Sequence, residues 1–155
     1  MREAIGNSFI VNLLLVFLGV MSIIFIGSIS YSKAFKVKNR IVFIIEKYGE
    51  WPELARENLP RNEIEASLKQ IGYPLYARIG RCDRYNKGGG TIVYGANPAD
   101  TTYHYCVYKY ENDRGVYYGV TTFMHFDIPL IGGILEFPVY GETKSLYGTG
   151  VHYHN

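Results

Sequence analysis

The feature that most constrains this chain is an uncharged apolar run near its N-terminus. Residues 9–31 read FIVNLLLVFLGVMSIIFIGSISY, and every charged side chain of the protein lies outside them. A helix needs about 20 residues to cross a hydrocarbon core of about 30 Å, so this run is long enough to span a bilayer. We therefore predict a transmembrane helix over residues 9–31.

A cleaved secretory signal is the competing interpretation of this run. Such a signal has an apolar core of about 7–15 residues after a basic stretch. Here the run is longer, and Arg2 is the single basic side chain before it. The small residues from Gly27 to Ser30 offer a cleavage site, which would release a secreted domain at about Ser30. We favour the retained anchor.

The helical pattern continues beyond the apolar run as an amphipathic stripe. No proline or glycine interrupts residues 28–48, and Gly49 is a suitable stop. Apolar residues recur at helical spacing along one face: Ala34, Phe35, Val37, Ile41, Val42, Ile44, Ile45 and Tyr48. We predict one helix over residues 7–48, apolar all round in its first half and along one face in its second. The second half therefore requires a domain that lies against it.

The remainder, residues 49–155, is predicted to form that domain. After a polar connector, Asn62 and Glu65 predict the first turn of a short helix, which ends at Gly72. Beyond it the apolar period becomes two, which predicts strands at about residues 75–79, 91–94, 102–111, 116–127 and 137–147. The expected fold class is α+β, with a small antiparallel sheet against the long helix.

Two connections between these strands have distinctive sequences. Asn112 to Gly115 supplies a hairpin turn. The segment from Ile128 to Pro138 is apolar, with a proline near each end. We interpret it as a loop against the long helix; the alternative is an exposed patch for a partner subunit or the bilayer surface.

The layout of residues 1–48 resembles that of type IV filament proteins, which include type IV pilins, type II secretion pseudopilins and tight-adherence (Tad) minor pseudopilins. In that family a long N-terminal helix is half membrane span and half spine for a β domain. A charged leader ending in glycine is removed by a prepilin-type peptidase. MREAIG before Asn7 matches such a leader, with processing between Gly6 and Asn7. Val11 stands where the family usually has glutamate.

The resemblance implies a structural subunit of a pilus or secretion pseudopilus. Its partners would be other pilin-like subunits, membrane assembly proteins and the lipid bilayer. Residues 1–6 would be the leader, and Gly19 and Gly27 would allow close approach of neighbouring helices. The alternative function is a single-pass accessory or binding module with an extracytoplasmic β domain.

Orientation is predicted from two features that disagree. Lys33, Lys36, Lys38 and Arg40 follow the apolar run, and the positive-inside rule alone would place the domain in the cytoplasm. Cys82 and Cys106 are the two cysteines, and in an exported domain they are expected to pair. We predict an extracytoplasmic domain with a Cys82–Cys106 disulfide.

No pattern for catalysis, a cofactor or a metal is found in the sequence. His152 and His154 lie close together without a neighbouring cysteine or carboxylate, and nucleophile-elbow, zinc-protease and phosphate-loop motifs are absent. A formal charge of +2 argues against nucleic acid as a partner. We expect a non-enzymatic protein.

Overall fold

The computed structural model describes residues 2–49, 59–73, 82–96, 104–128 and 133–146. The elements follow the order α1 (Arg2–Tyr48), α2 (Leu59–Ile71), a 3-10 turn (Asp83–Tyr85), β1 (Thr91–Tyr94), β2 (Tyr105–Asn112), β3 (Gly115–Ile128) and β4 (Gly133–Glu142). Helix α1 lies on an antiparallel sheet of four strands in the order β1-β2-β3-β4. The predicted α+β class is therefore confirmed.

Helix α1 is continuous over 47 residues, which corresponds to about 70 Å at 1.5 Å per residue. It includes Arg2 and is longer than the predicted helix from residue 7, so residues 2–6 of the predicted leader are helical too. Gly49 ends it as predicted, with φ of +77° and a 2.9 Å hydrogen bond from its N–H to the carbonyl of Ile45. This is the single bond of a left-handed C-terminal cap.

Helix α2 begins earlier than the sequence pattern predicts. Its first residue is Leu59, so Asn62 lies inside the helix and is not its N-terminal cap. Pro60 occupies the first turn, where a backbone N–H has no helical partner to lose. At the other end the prediction holds: Gly72 has φ of +71°, and Tyr73 N–H donates to the Leu68 carbonyl.

The sheet is a meander of consecutive antiparallel strands. β1 has the predicted bounds, and β2 and β3 are joined at the predicted turn, where Asn112 pairs with Gly115. A bulge between Ile92 and Tyr94 interrupts the register of β1 and β2. The strand predicted at residues 75–79 lies outside the described residues.

The apolar segment after Ile128 differs from its prediction as a loop. β3 and β4 pair continuously from Gly119↔Glu142 to Ile128↔Gly133, so most of the segment forms the arms of a long hairpin. Pro138 is tolerated within β4 because this strand is at the edge of the sheet, where one side of the backbone has no ladder partner.

The two faces of the sheet bury different clusters. One face packs on α1 and α2, with a shared core of Val37, Ile41, Ile44, Ile45, Ile64, Leu68, Tyr73, Tyr94, Tyr105, Val107, Tyr118 and Val120. The opposite face holds Cys82, Cys106, Tyr108, Tyr110 and Phe123. The domain therefore has a helix-covered face and a face covered by its own loop.

Candidate membrane anchor and its attachment to the sheet

Residues 8–26 of α1 are all exposed in the isolated chain. The apolar side chains among them include Phe9, Leu13, Leu14, Phe17, Leu18, Ile24 and Phe25. In water such a surface carries a large hydrophobic cost. By length and composition this helix can cross a membrane, and it is the single helix of that kind in the described residues. A membrane location is compatible with this structure.

The all-round exposure of α1 ends at Gly27, beyond which one stripe of the helix is buried. Gly27 is buried, Ser30 is half-buried, and Ala34 and Val37 are buried. These positions and Ile41 recur at intervals of three or four, which places them on one face of a helix. The covered stripe therefore begins inside the predicted span of residues 9–31.

The two glycines predicted for helix packing have different surroundings. A methyl group added at Gly19 would meet nothing within 4 Å, so this position is open to a neighbouring helix. Gly27, in contrast, is buried within its own chain. Gly6 and Asn7 lie within α1, and their side chains are outside the described ones. Helix packing at Gly19 and processing at Gly6 stay predictions.

Three contacts attach α1 to the sheet along its length. Thr122 Oγ1 donates to the carbonyl of Ala34 at 3.0 Å. The aliphatic stem of Lys38 lies over Gly141, where an added methyl group would be 2.6 Å from Lys38 Cδ. Further along, Glu46 Oε1 accepts a 2.9 Å hydrogen bond from the Lys144 N–H.

An ion pair joins α1 to α2. Lys47 Nζ donates to Glu63 Oε2 at 2.8 Å, and Tyr48 Oη donates to the same oxygen at 3.0 Å. The hydrogen bond to Glu63 raises the pKa of Lys47, and the bonds from Lys47 and then Tyr48 lower the pKa of Glu63. Both groups are therefore charged at neutral pH.

The structure contains the predicted disulfide between Cys82 and Cys106, whose Cα atoms are 5.7 Å apart. It fixes the 3-10 turn against the sheet face opposite α1. Tyr108 Oη donates to the Cys82 carbonyl at 2.8 Å, and burial raises the pKa of Tyr108 to about 12. Gly95 has φ of +98°, and a methyl group there would lie 2.5 Å from Cys82 Sγ. A side chain at residue 95 is therefore incompatible with the bridge as it stands.

A buried histidine–carboxylate contact that no sequence pattern indicates lies on the same face. The His104 imidazole contacts the Glu136 carboxylate, and both side chains are at least 95% buried. The His104 ring also packs on Phe123 at 4.1 Å between centroids. The two residues are 32 positions apart, and no sequence pattern connects them. The pairing depends on the β3–β4 register.

Tyr73 connects the end of α2 to this pair. Its hydroxyl donates to the His104 carbonyl at 2.7 Å and accepts from the Phe123 N–H at 2.8 Å. Burial raises the pKa of Tyr73 well above its ordinary value. The hydroxyl therefore stays protonated and serves as a structural hydrogen-bonding group.

A shallow hollow of about 370 Å³ opens on the loop side of the sheet. Gly88, Gly89 and Gly90 form one wall, and Tyr110 and Tyr117 form another, with their rings stacked at 5.0 Å. Asn86 Oδ1 accepts from the Gly90 N–H at 3.0 Å and holds the loop closed. Thr91, Lys109 and Glu111 complete the lining, so the hollow has polar and charged groups beside its aromatic rings.

In the described part of the chain, no group of three or more histidine, cysteine, aspartate or glutamate residues is placed to hold a metal ion. His152 and His154 lie outside the described residues. Comparisons with protein-family models, curated proteins and solved structures gave no match to this chain.

Proposed function

We propose that this protein is a membrane-anchored structural subunit of a pilin-like filament, either a pilus or a secretion pseudopilus. One observation carries the proposal: α1 is a single helix, exposed and apolar in its first half and packed on a sheet in its second. Such a helix can anchor the domain in lipid and can also pack against identical or related helices.

Assembly would exchange lipid for helix contacts. As subunits leave the bilayer, the apolar surface of residues 8–26 would pack against neighbouring α1 helices. Small residues allow helix backbones to approach closely in lipid, and Gly19 is the open position of this kind. Gly19 would therefore lie at the subunit contact.

The sheet domain would be extracytoplasmic. Disulfides persist in oxidising compartments and are rare in the cytoplasm, so the Cys82–Cys106 bridge supports this orientation. Lys33 and Lys36 are exposed on α1, because the opposite stripe of the helix carries the sheet contacts. These two lysines can meet anionic lipid headgroups on the outer side.

A single-pass accessory or binding module is the second candidate function. The hollow beside Tyr110 and Tyr117 favours it, because stacked aromatic rings next to a glycine loop offer a binding surface for a flat ligand. This candidate needs no contact at Gly19 and no processing at Gly6.

Crosslinking in the native membrane separates the two candidates. The chain's own cysteines are already paired, so Gly19→Cys introduces one free thiol. Met21→Cys is the matched control, since two residues correspond to about 200° around a helix and place it on the opposite face. A filament subunit should form many crosslinks at residue 19 and few at residue 21. Oxidation joins two copies of the variant, and a bridging reagent captures partners that lack cysteine. Equal or absent crosslinking would favour the accessory module.

Processing and orientation have their own measurements. Mass spectrometry of the native protein should show an N-terminus at Asn7, and an intact leader would count heavily against filament entry. A membrane-impermeant maleimide should label Cys82 and Cys106 on intact cells after reduction and not before it. Labelling that requires lysis but no reduction would overturn the orientation. The Cys82→Ser/Cys106→Ser variant supplies the background signal.

A further inference from the structure

We propose that the β3–β4 hairpin, at the end where Ile128 pairs with Gly133, rests in the interfacial layer of the bilayer beside α1. The sheet domain would then touch lipid directly. This inference rests on the proposed role of α1 as the membrane anchor, and it adds a second membrane contact that the anchor alone does not supply.

Strand β3 runs along α1 toward the apolar half of the helix. Near the C-terminal end of α1, Glu46 bonds Lys144, whose neighbour Thr143 donates its N–H to the Tyr118 carbonyl. Nearer the apolar half, Thr122 bonds Ala34. As β3 proceeds from residue 118 to 122 it therefore moves along α1 toward the membrane half. The rest of β3 continues in that direction as far as Ile128. The first residue of β4, Gly133, pairs with Ile128 at that far end.

The β3–β4 hairpin extends well beyond the contact between Thr122 and Ala34. From Thr122 to Ile128 is about 20 Å at 3.3 Å per strand residue, which equals about 13 residues of helix at 1.5 Å each. A strand aligned with α1 would end near the level of residue 21. Every residue from 8 to 26 is exposed, however, so the hairpin does not cover α1 below Gly27. Burial of Gly27 agrees with a sheet that covers α1 below Ala34. The hairpin end therefore lies beside the upper part of the apolar run.

The composition at this level identifies lipid as the occupant. The paired arms contain Phe126, Ile128, Ile134 and Leu135, with Asp127 as their one charge between residues 126 and 135. Just above them, the aromatic rings of Tyr31, Phe35 and Phe137 are between 41% and 53% exposed. Exposed lysines at residues 33 and 36 alternate with these rings along α1. A bilayer presents acyl chains first and then an interface where aromatic rings and cations meet anionic headgroups, which matches an apolar segment followed by mixed aromatic and basic residues.

The depth is limited by the edge of the sheet. Among the four strands that the structure describes, β4 is at the edge, and any outward N–H and C=O groups without a partner would be costly in dry hydrocarbon. Hydrated headgroups can satisfy them. The hydrocarbon core would then be spanned by residues 9–26, about 27 Å at 1.5 Å per residue, which is close to the thickness of about 30 Å that a bilayer requires. The upper membrane boundary therefore falls near Ile26 rather than at Tyr31.

Fluorescence quenching by brominated lipids tests this placement. Trp51 is the single tryptophan, and Trp51→Phe gives a silent background in the full-length protein. One tryptophan is then introduced by Ile134→Trp or Phe137→Trp as the hairpin probe. Phe17→Trp marks the middle of the span, and Phe43→Trp marks an exposed α1 position well above it. The protein is reconstituted at low density in vesicles of phosphatidylcholine and phosphatidylglycerol, with bromine near the upper end of the acyl chains.

Strong quenching at residues 134 and 137, with little at residue 43, is the expected result, and the aqueous quencher acrylamide should show the reverse order. Quenching at residue 17 but not at 134 or 137 would overturn the hairpin contact and leave the anchor intact. No quenching at residue 17 would overturn the anchor and the inference together. A third outcome would also overturn the lipid contact. If the hairpin probes become protected from acrylamide only at high protein density, and lipid does not quench them, the surface contacts a second copy of the chain. Circular dichroism and an intact Cys82–Cys106 bridge select the folded variants for the comparison.

Discussion

The hydroxyl of Thr122, in the middle of the sheet, donates a 3.0 Å hydrogen bond to the backbone carbonyl of Ala34 on α1. Both residues are buried. The bond lies just above the point where α1 passes from its covered stripe to its exposed apolar half. It therefore holds the sheet at a defined height above the proposed membrane.

Replacing this hydroxyl should weaken the attachment of the sheet. Thr122→Val keeps the shape of the side chain and removes the donor, and a net loss of about 1 kcal/mol in the free energy of unfolding is expected. Urea unfolding of the full-length protein in an uncharged detergent measures it. Thr121→Val is the control, since its buried hydroxyl makes no hydrogen bond of ordinary geometry in the described part of the chain. An equal loss in both variants would show that the bond to Ala34 contributes nothing specific.

The covered stripe of α1 should be far more sensitive to truncation than its exposed side. Ile41 is fully buried between the sheet and α2, whereas Phe43 on the same helix is 53% exposed. Ile41→Ala should lower the free energy of unfolding by about 2–5 kcal/mol, because it removes buried surface and leaves a cavity. Phe43→Ala should change it by less than about 1 kcal/mol. Thermal unfolding is measured by circular dichroism, and the β-sheet signal is followed because it reports on the sheet domain rather than on the membrane half of α1. Similar losses at the two positions would contradict the observed burial.

Loss of the disulfide should destabilise the sheet domain without releasing the anchor. The bridge closes a loop with a sequence separation of 24, and the chain-entropy model assigns such a loop about 3 kcal/mol. Cys82→Ser/Cys106→Ser should lower the midpoint of urea unfolding, and reduction of the wild-type protein should lower it to the same extent. Membrane fractionation should be unchanged. An unchanged midpoint would show that the unfolded chain gains little freedom when the bridge is removed.

The Lys47–Glu63 pair should make the α1–α2 contact weaker in acid. The pKa of Glu63 is lower in the folded protein, so its contribution is complete above its ordinary pKa of about 4.3 and is lost as pH falls through the folded value. The pKa of Lys47 is raised, so its contribution is complete below its ordinary value of about 10.4 and is lost only at higher pH. Unfolding midpoints at about pH 7 and pH 3 should therefore differ more in the wild type than in Glu63→Gln.

A matched variant keeps this comparison specific. Glu111→Gln removes one exposed carboxylate at the end of β2, whose 3.8 Å contact with Lys109 lies within that strand and joins no two elements. Its acid sensitivity should follow that of the wild type. If Glu63→Gln also follows the wild type, the ion pair makes no measurable contribution to the acid dependence.

Residues with a local signature were predictable from the sequence. Gly72 ends α2 as expected, because a residue with positive φ after an apolar helical face has few alternatives to glycine. The bounds of β1 and the turn at Asn112 to Gly115 also follow from local patterns. The loop predicted from Ile128 to Pro138 was wrong, because proline and strand signals conflict there. Two prolines suggested a loop between Ile128 and Pro138, but pairing with β3 makes residues 133–142 a strand.

By itself the sequence determined the long helix, its change from all-round to one-sided apolarity, and the α+β class, because each depends on the periodicity of neighbouring residues. The tertiary structure alone decided that Gly27 is covered while Gly19 is open, that His104 meets Glu136, and that the β3–β4 hairpin points along α1 toward its apolar half. These relationships join residues far apart in the chain. They are set by strand register and by the height at which Thr122 meets Ala34, and no local pattern encodes either of them.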